Sequence, residues 1–207
     1  HGTVDPAVIL EAVKERNFGR LPEFMREAAQ EAYEVMMHTG DSQLCDLIID
    51  RAALDTILIK SRESGNEVIA LYGELKVAAA DINIAIRSIK TGRDRAFMER
   101  AIAECDSLNK KELIDSAMEG IEAVYEYLSR TKYAEAVDAI KESASAFERW
   151  CDNLIIRNIS PQKYNPFTLS PLAAYILARE NEIKTVRIIL SGKRNEIHDS
   201  SIRERLR

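Results

Sequence analysis

An all-α fold is predicted for this chain of 207 residues by three features of its sequence. Its middle is free of proline, its composition favours helices, and alternating apolar/polar runs bounded by turn residues are absent. The five prolines are Pro6, Pro22, Pro161, Pro166 and Pro171, and none falls between Pro22 and Pro161. Proline breaks a helix interior but is accommodated in a first turn. The stretch between is rich in Ala, Glu, Leu, Ile, Lys and Arg, most of which are good helix formers.

The punctuation then sets the elements. Helices are expected over 6–16, 22–38, 42–64, 67–91, 93–104, 109–129 with a break at Gly120, 133–158, 171–190 and 199–206. Asp5-Pro6 and Ser170-Pro171 each read as an N-cap followed by the first helical residue. Asp41 caps the third helix after a stop at Thr39-Gly40, and Ser64-Gly65-Asn66 separates the third from the fourth. Gly92 and Gly192 read as C-terminal stops, because glycine tolerates the left-handed conformation there. The one long loop runs from Asn158 to Ser170.

Two helices carry more apolar residues than one stripe needs. Leu44, Leu47, Ile48, Ile49, Ala52, Leu54, Ile57, Leu58 and Ile59 form one set. Leu172, Tyr175, Ile176, Leu177, Ile183, Val186, Ile189 and Leu190 form the other. Both helices are expected to be buried on more than one side, in a multi-layer bundle.

Composition excludes several classes. The hydrophobic fraction of 46% is enough to fill a core, and the net charge of −5 disfavours non-specific nucleic-acid binding. Residues 157–207 hold ten basic and five acidic side chains, a net +5, so the preceding 156 residues carry −10. One end is therefore expected to be basic, either facing an acidic partner or anionic lipid headgroups, or simply as scattered surface charge. No apolar run approaches the ~20 residues that cross a bilayer, and no signal-peptide pattern opens the sequence, which begins at His1 rather than Met. Cys45, Cys105 and Cys151 are odd in number and far apart, which predicts reduced, buried thiols in a cytoplasmic protein rather than a disulfide framework or a zinc site.

Candidates for chemistry are few. A G-x-x-x-x-G-K-[ST] loop is absent, so nucleotide phosphates have no P-loop cradle. The histidines are His1, His38 and His198. Glu34 and His38 share a helical face, but the paired Glu-x-x-His motifs of a di-iron bundle are absent, and a solvated face is expected. Asp46, Asp50 and Asp55 lie too unevenly along their helix to form a tight cluster. Tyr133-Ala134-Glu135-Ala136-Val137 resembles one helix of a tetratricopeptide repeat, with no recurrence at 34 residues to support it. Asp81, Asn83, Glu180, Asn181 and Glu182 interrupt apolar helices. They are expected to make internal hydrogen bonds and ion pairs, with Arg87 and Arg187 as candidate partners; contact with a neighbouring unit or a partner protein is the functional alternative.

The chain also resembles itself. At an offset of 100, Ala78 meets Ala178, Arg87 meets Arg187, Ile89 meets Ile189, Gly92 meets Gly192, Ile102 meets Ile202 and Glu104 meets Glu204. Cys45-Asp46-Leu47-Ile48-Ile49 resembles Cys151-Asp152-Asn153-Leu154-Ile155 at an offset of 106. Two helical repeat units are predicted, 1–105 and 106–207, with chance similarity among helices of biased composition as the alternative.

The segment Ala79-Ala80-Asp81-Ile82-Asn83-Ile84-Ala85-Ile86-Arg87 resembles the signature helix of the V-type ATPase/ATP synthase C subunit and its eukaryotic counterpart, the d subunit. So does Tyr175 through Leu190, followed by Ser191-Gly192-Lys193, and Ile202-Arg203-Glu204-Arg205-Leu206-Arg207 resembles the family's closing helix. Members contain three similar helical units, and this chain resembles the second and third, the C-terminal two-thirds.

The resemblance implies a funnel- or wedge-shaped protein of the central stalk, cytoplasmic and seated on the cytoplasmic face of the membrane rotor ring. It would receive the foot of the central shaft and pass torque between ATP chemistry and proton or sodium transport. Its implied partners are the central-shaft subunits and the rotor ring. No catalytic residue, cofactor or metal is implied. The family-signature residues Asp81, Asn83, Arg87, Gly92, Glu180, Asn181, Arg187 and Gly192 are expected to be structural. A generic all-helical repeat adaptor is the competing class.

Overall fold

The computed structural model describes residues 4–206. Among them are eleven α-helices and two 3-10 turns, and no strand. In chain order the helices are α1 (Pro6–Glu15), α2 (Glu23–Thr39), α3 (Ser42–Glu63), α4 (Glu67–Thr91), α5 (Arg95–Ala101), α6 (Lys110–Glu119), α7 (Ile121–Ser129), α8 (Ala136–Glu142), α9 (Ala144–Ile159), α10 (Ser170–Arg194) and α11 (Asp199–Glu204). The 3-10 turns are Phe18–Arg20 and Ser160–Tyr164. His1 lies outside the described residues.

Local chemistry explains most boundaries. Asp5, Asp41, Asp94 and Asn109 each accept a hydrogen bond from a backbone N–H in the first turn of the helix that follows. Asn66 does the same twice, to Val68 and Ile69, and starts α4. Gly40, Gly65 and Gly92 turn the chain at φ values of 66, 63 and 64°, where side chains are strained. Gly120 separates α6 from α7 with φ 130°, as its position in the sequence predicts.

α4 is the hub. Val77, Ala78, Ile82 and Ala85 along it are fully buried, and it packs against α3, α5, α6, α7, α9 and α10. One large core runs from Val68 through Leu113, Val124, Leu128 and Tyr133 to Ile159, with Leu177 at its edge. It crosses the junction expected near residue 105. A smaller cluster of Ala32, Cys45 and Ile48 joins α2 to α3.

Four expectations are corrected. The helix expected over 133–158 is two, because Ser143 adopts an extended conformation (φ −170°, ψ 165°) and its hydroxyl accepts from the Ala146 N–H, starting α9 afresh. Ser170 is not an N-cap: it is the first residue of α10, and its buried hydroxyl accepts a hydrogen bond from Asn66 Nδ2 at 3.2 Å. Gly192 is not a helix stop. It lies inside α10 with no positive φ, and its missing Cβ makes room for Ile202 of α11, whose nearest side-chain carbon would stand 2.6 Å from one.

The fourth correction concerns burial. α10 is not enclosed on several sides: Leu172, Tyr175, Ile176, Ile183, Val186 and Leu190 are exposed, since no described element covers its outer face. On α3, Leu47, Ile48 and Leu58 are buried, whereas Ile49, Ile57 and Ile59 are exposed.

Candidate functional site

The signature residues of α4 and α10 do different work. Asp81 is buried, 1% exposed at the centre of α4. Its Oδ1 accepts a hydrogen bond from the Ala103 N–H at 2.8 Å, tying the hub helix to the segment after α5. Arg51 of α3 reaches the same segment, donating to the Ile102 carbonyl, and holds Asp55 at 2.8 Å. Asp81 Oδ2 has no hydrogen-bond partner among the described residues. Burial raises this carboxyl to about 7, against the lowering effects of the Ala103 N–H and the Arg51 charge. The result is a clamp between three segments, in which Asp81 Oδ1 and the Arg51 guanidinium each engage backbone of the segment after α5.

The rest of the α4 set is peripheral. Asn83 is half-buried and its side chain has no hydrogen-bond partner among the described residues. Arg87 is exposed and lines a cleft with Asp46 and Asp50 of α3 and Arg93, yet forms no salt bridge among the described residues. Gly92 provides the left-handed C-cap of α4.

On α10, Glu180 and Asn181 face a small crevice shared with Tyr72 and Lys76 of α4 and Asp152 of α9. The polar bond closing this helix junction is made by Lys184, whose Nζ lies 2.7 Å from Asp152. Burial lowers the Lys76 amine, with a further push from Lys184, and burial raises the Tyr72 phenol, helped by Glu180 and Asp152. Arg187 is exposed and carries no salt bridge among the described residues, and Glu182 pairs with Arg179 instead. The anticipated pairing of the two signature arginines with these acids is therefore not made: Asp81 accepts from the Ala103 N–H and Glu182 pairs with Arg179.

Several positioning residues carried no pattern in the sequence. Burial would raise the Glu74 carboxyl, but hydrogen bonds from Ser107 and the Asp106 backbone, with the Lys132 charge, hold it below the ordinary carboxylate range. Ser107 in turn meets the Tyr133 hydroxyl at 2.7 Å, and the Tyr127 hydroxyl accepts from the Asn109 N–H at 2.7 Å. Gly73 in mid-α4 is the exception: a glycine inside an apolar helical run signals a close approach, and Ser61 of α3 fills that space.

No group of three or more His, Cys, Asp or Glu side chains among the described residues is arranged to hold a metal ion. Burial pushes the thiols of Cys105 and Cys151 up to about 11 and about 12, which keeps them protonated and weakly nucleophilic. Cys45 donates to the Ala32 carbonyl at 3.1 Å. No described helix is long and apolar enough to cross a membrane.

The structure is thus a helical bundle organised around an internal polar clamp. Residues 1–205 match the model of the ATP synthase (C/AC39) subunit family, and the chain belongs to that family. It is 23% identical over 210 aligned positions to the C subunit of the V-type sodium ATPase of Enterococcus hirae, covering 97% of this chain and 62% of that protein. The C subunit of the A-type ATP synthase of Haloquadratum walsbyi is 27% identical over 148 positions, covering 67% of this chain and 43% of that one. That of Methanocaldococcus jannaschii is 25% identical over 176, covering 78% and 43%. The chain thus spans less than two thirds of the length of these relatives. No solved structure matches it.

Proposed function

We propose that this chain is a non-catalytic central-stalk rotor subunit of a V- or A-type ATPase/ATP synthase. It acts as a socket at the cytoplasmic face of the membrane, coupling the central-shaft subunits to the membrane rotor ring during ATP-driven or ATP-producing proton or sodium transport. The observation that carries this reading is the family match along residues 1–205. The packing suits such a role, because a socket that transmits torque must resist deformation, and well-packed interiors have low compressibility. The hub helix α4, packed against six other helices, provides such a body. The two units, 1–105 and 106–207, are proposed as repeats of one helical design, sharing the core that crosses their junction.

Mixing the purified chain with central-shaft subunits and rotor ring tests the proposal, with a full-length C subunit as positive control. The chain is expected to co-sediment with both. ATP and Mg²⁺ should produce no hydrolysis by the chain alone and no rise in Tm, since a ligand of the native state stabilises it by mass action. Absence of association with either partner, while the control binds, overturns the coupling role.

A further inference from the structure

The loop that joins α9 to α10 presents large apolar side chains to solvent. Phe167 is 97% exposed, Tyr164 76% and Leu169 66%. A single exposed apolar residue is ordinary on a surface, but several gathered in one short loop mark an interaction site.

The loop is a built turn. The Thr168 hydroxyl donates to the Asn165 carbonyl at 3.2 Å and accepts from the Ser170 N–H at 3.1 Å. The Asn165 N–H donates to the Gln162 carbonyl at 3.2 Å. These bonds fold the chain back around Pro166 and Phe167. The base of the turn is anchored to the start of α4 by the bond from Asn66 to Ser170, and Pro161, Pro166 and Pro171 each fix a backbone angle. Phe167 is therefore held out by a preformed turn, and little ordering remains to be done on binding.

The charge of this stretch has one sign. From residue 153 to residue 179 there is no Asp or Glu, while Arg157, Lys163 and Arg179 are basic. Arg157 is engaged by Glu135 and Arg179 by Glu182. Lys163 forms no salt bridge among the described residues, and its Nζ lies 4.8 Å from the centre of the Tyr164 ring. An apolar tip beside an unpaired ammonium suits a membrane interface, where the rings reach the acyl boundary and the cation stays among the headgroups. No described helix is long and apolar enough to cross a membrane, so such a contact lies in the interface and does not span it.

We propose that the α9–α10 loop inserts into the interface of an anionic lipid bilayer, with Phe167, Tyr164 and Leu169 at the acyl boundary and Lys163 against lipid phosphates. This rests on the place at the membrane face proposed above and names the element that meets lipid. One short loop is a small contact, so the association is weak. Its charged part fades as salt screens exposed charges beyond roughly 10 Å at 0.1 M.

The test is co-sedimentation of the whole chain with vesicles of phosphatidylglycerol and phosphatidylcholine, beside vesicles of phosphatidylcholine alone, with no shaft or ring present. The anionic vesicles should bind more of the chain, and less of it at high salt. Phe167→Ser with Tyr164→Ser should weaken partitioning about tenfold or more, since burying even one such side chain carries roughly that factor. Lys163→Gln should weaken it about fivefold on anionic vesicles and little on neutral ones. Circular dichroism confirms that the variants fold, all three positions being exposed. Trp150 is the sole tryptophan and packs against Phe147 and Tyr133. A tryptophan introduced by Phe167→Trp should be quenched by lipids brominated on their acyl chains, whereas the unsubstituted chain should not. The proposal is overturned if anionic vesicles bind none of the chain up to millimolar lipid. It is overturned equally if the Phe167→Ser, Tyr164→Ser variant binds as the wild type does, since another surface then holds the lipid. Loss of binding to detergent-solubilised rotor ring in that variant, while the wild type ignores vesicles, would assign the loop to a protein surface instead. The vesicles carry no ATPase subunit, so failure of the lipid contact leaves the coupling role standing, and failure to join shaft or ring leaves the vesicle result standing.

Discussion

Gly73 of α4 stands against Ser61 of α3 so closely that a Cβ at position 73 would lie 2.0 Å from the serine Oγ and 2.5 Å from its Cβ. The Ile57 carbonyl would be 3.3 Å away. The hub helix is seated against α3 through this close approach. Ser61 is itself buried and donates to the Leu58 carbonyl at 2.8 Å, so its hydroxyl has a fixed place.

Gly73→Ala should therefore destabilise the fold by about 1–3 kcal/mol, the usual cost of overpacking a filled site. Better helix propensity offsets this by up to ~1 kcal/mol. Ser61→Gly removes both obstructing atoms, so the double variant should be more stable than the sum of the single effects. Urea unfolding of the four proteins measures this coupling. An alanine at 73 that is neutral or stabilising would show that the helices separate freely there.

Asp81 predicts a pH dependence. Burial places its folded carboxyl at about 7, above an ordinary value of 3.8. Between those values the folded chain holds a proton that the unfolded chain has lost, so raising the pH removes stability across that window. Glu74 has the opposite sign, with a lowered carboxyl whose contribution is lost as pH falls. Comparison with Asp81→Asn cancels Glu74. The stability of the wild type relative to Asp81→Asn should decline as pH climbs from about 4 to about 7, and level off above. Urea midpoints at a series of pH values read this out, and parallel curves for the two proteins would mean that Asp81 does not titrate on folding.

Helix starts were readable because a cap is local: Asp41 and the Ser64-Gly65-Asn66 turn carry their chemistry within a few residues of the boundary they set. The break at Ser143 was not, since serine inside a helical pattern is no breaker and its extended backbone is visible only in three dimensions. Asp81 was recognisable as a polar residue in an apolar helix. Its partner, the Ala103 N–H, lies 22 residues away with no sequence signature. The apolar pattern of α10 suggested burial because periodicity counts side chains and not the neighbours that cover them. Arg87 and Arg187 matched in the self-alignment and both are exposed. Gly92 and Gly192 matched too, yet only Gly92 has a positive φ.

That last difference makes Gly192 testable. A glycine kept for its left-handed backbone resists every L residue, whatever its surroundings. Gly192 has a helical conformation within α10, and the obstacle to a side chain is Ile202, with Cγ1 at 2.6 Å and Cδ1 at 2.7 Å from the place of a Cβ. Ile202 is buried, and it is the one buried residue of α11. A six-residue helix does not hold by itself, so α11 depends on that contact, on Lys193 to Asp199, and on Ser143 to Glu204 at 3.3 Å. Gly192→Ala should therefore free α11 while leaving the core intact. Amide exchange over 199–206 should accelerate, with little change at α4. Adding Ile202→Ala removes Cγ1 and Cδ1 and leaves only Cβ, 3.7 Å from the new methyl, an ordinary contact. Some protection of α11 should then return, although the smaller side chain buries less surface. If the double variant exchanges no slower than Gly192→Ala, while Ile202→Ala alone exchanges more slowly than either, the steric account of Gly192 fails.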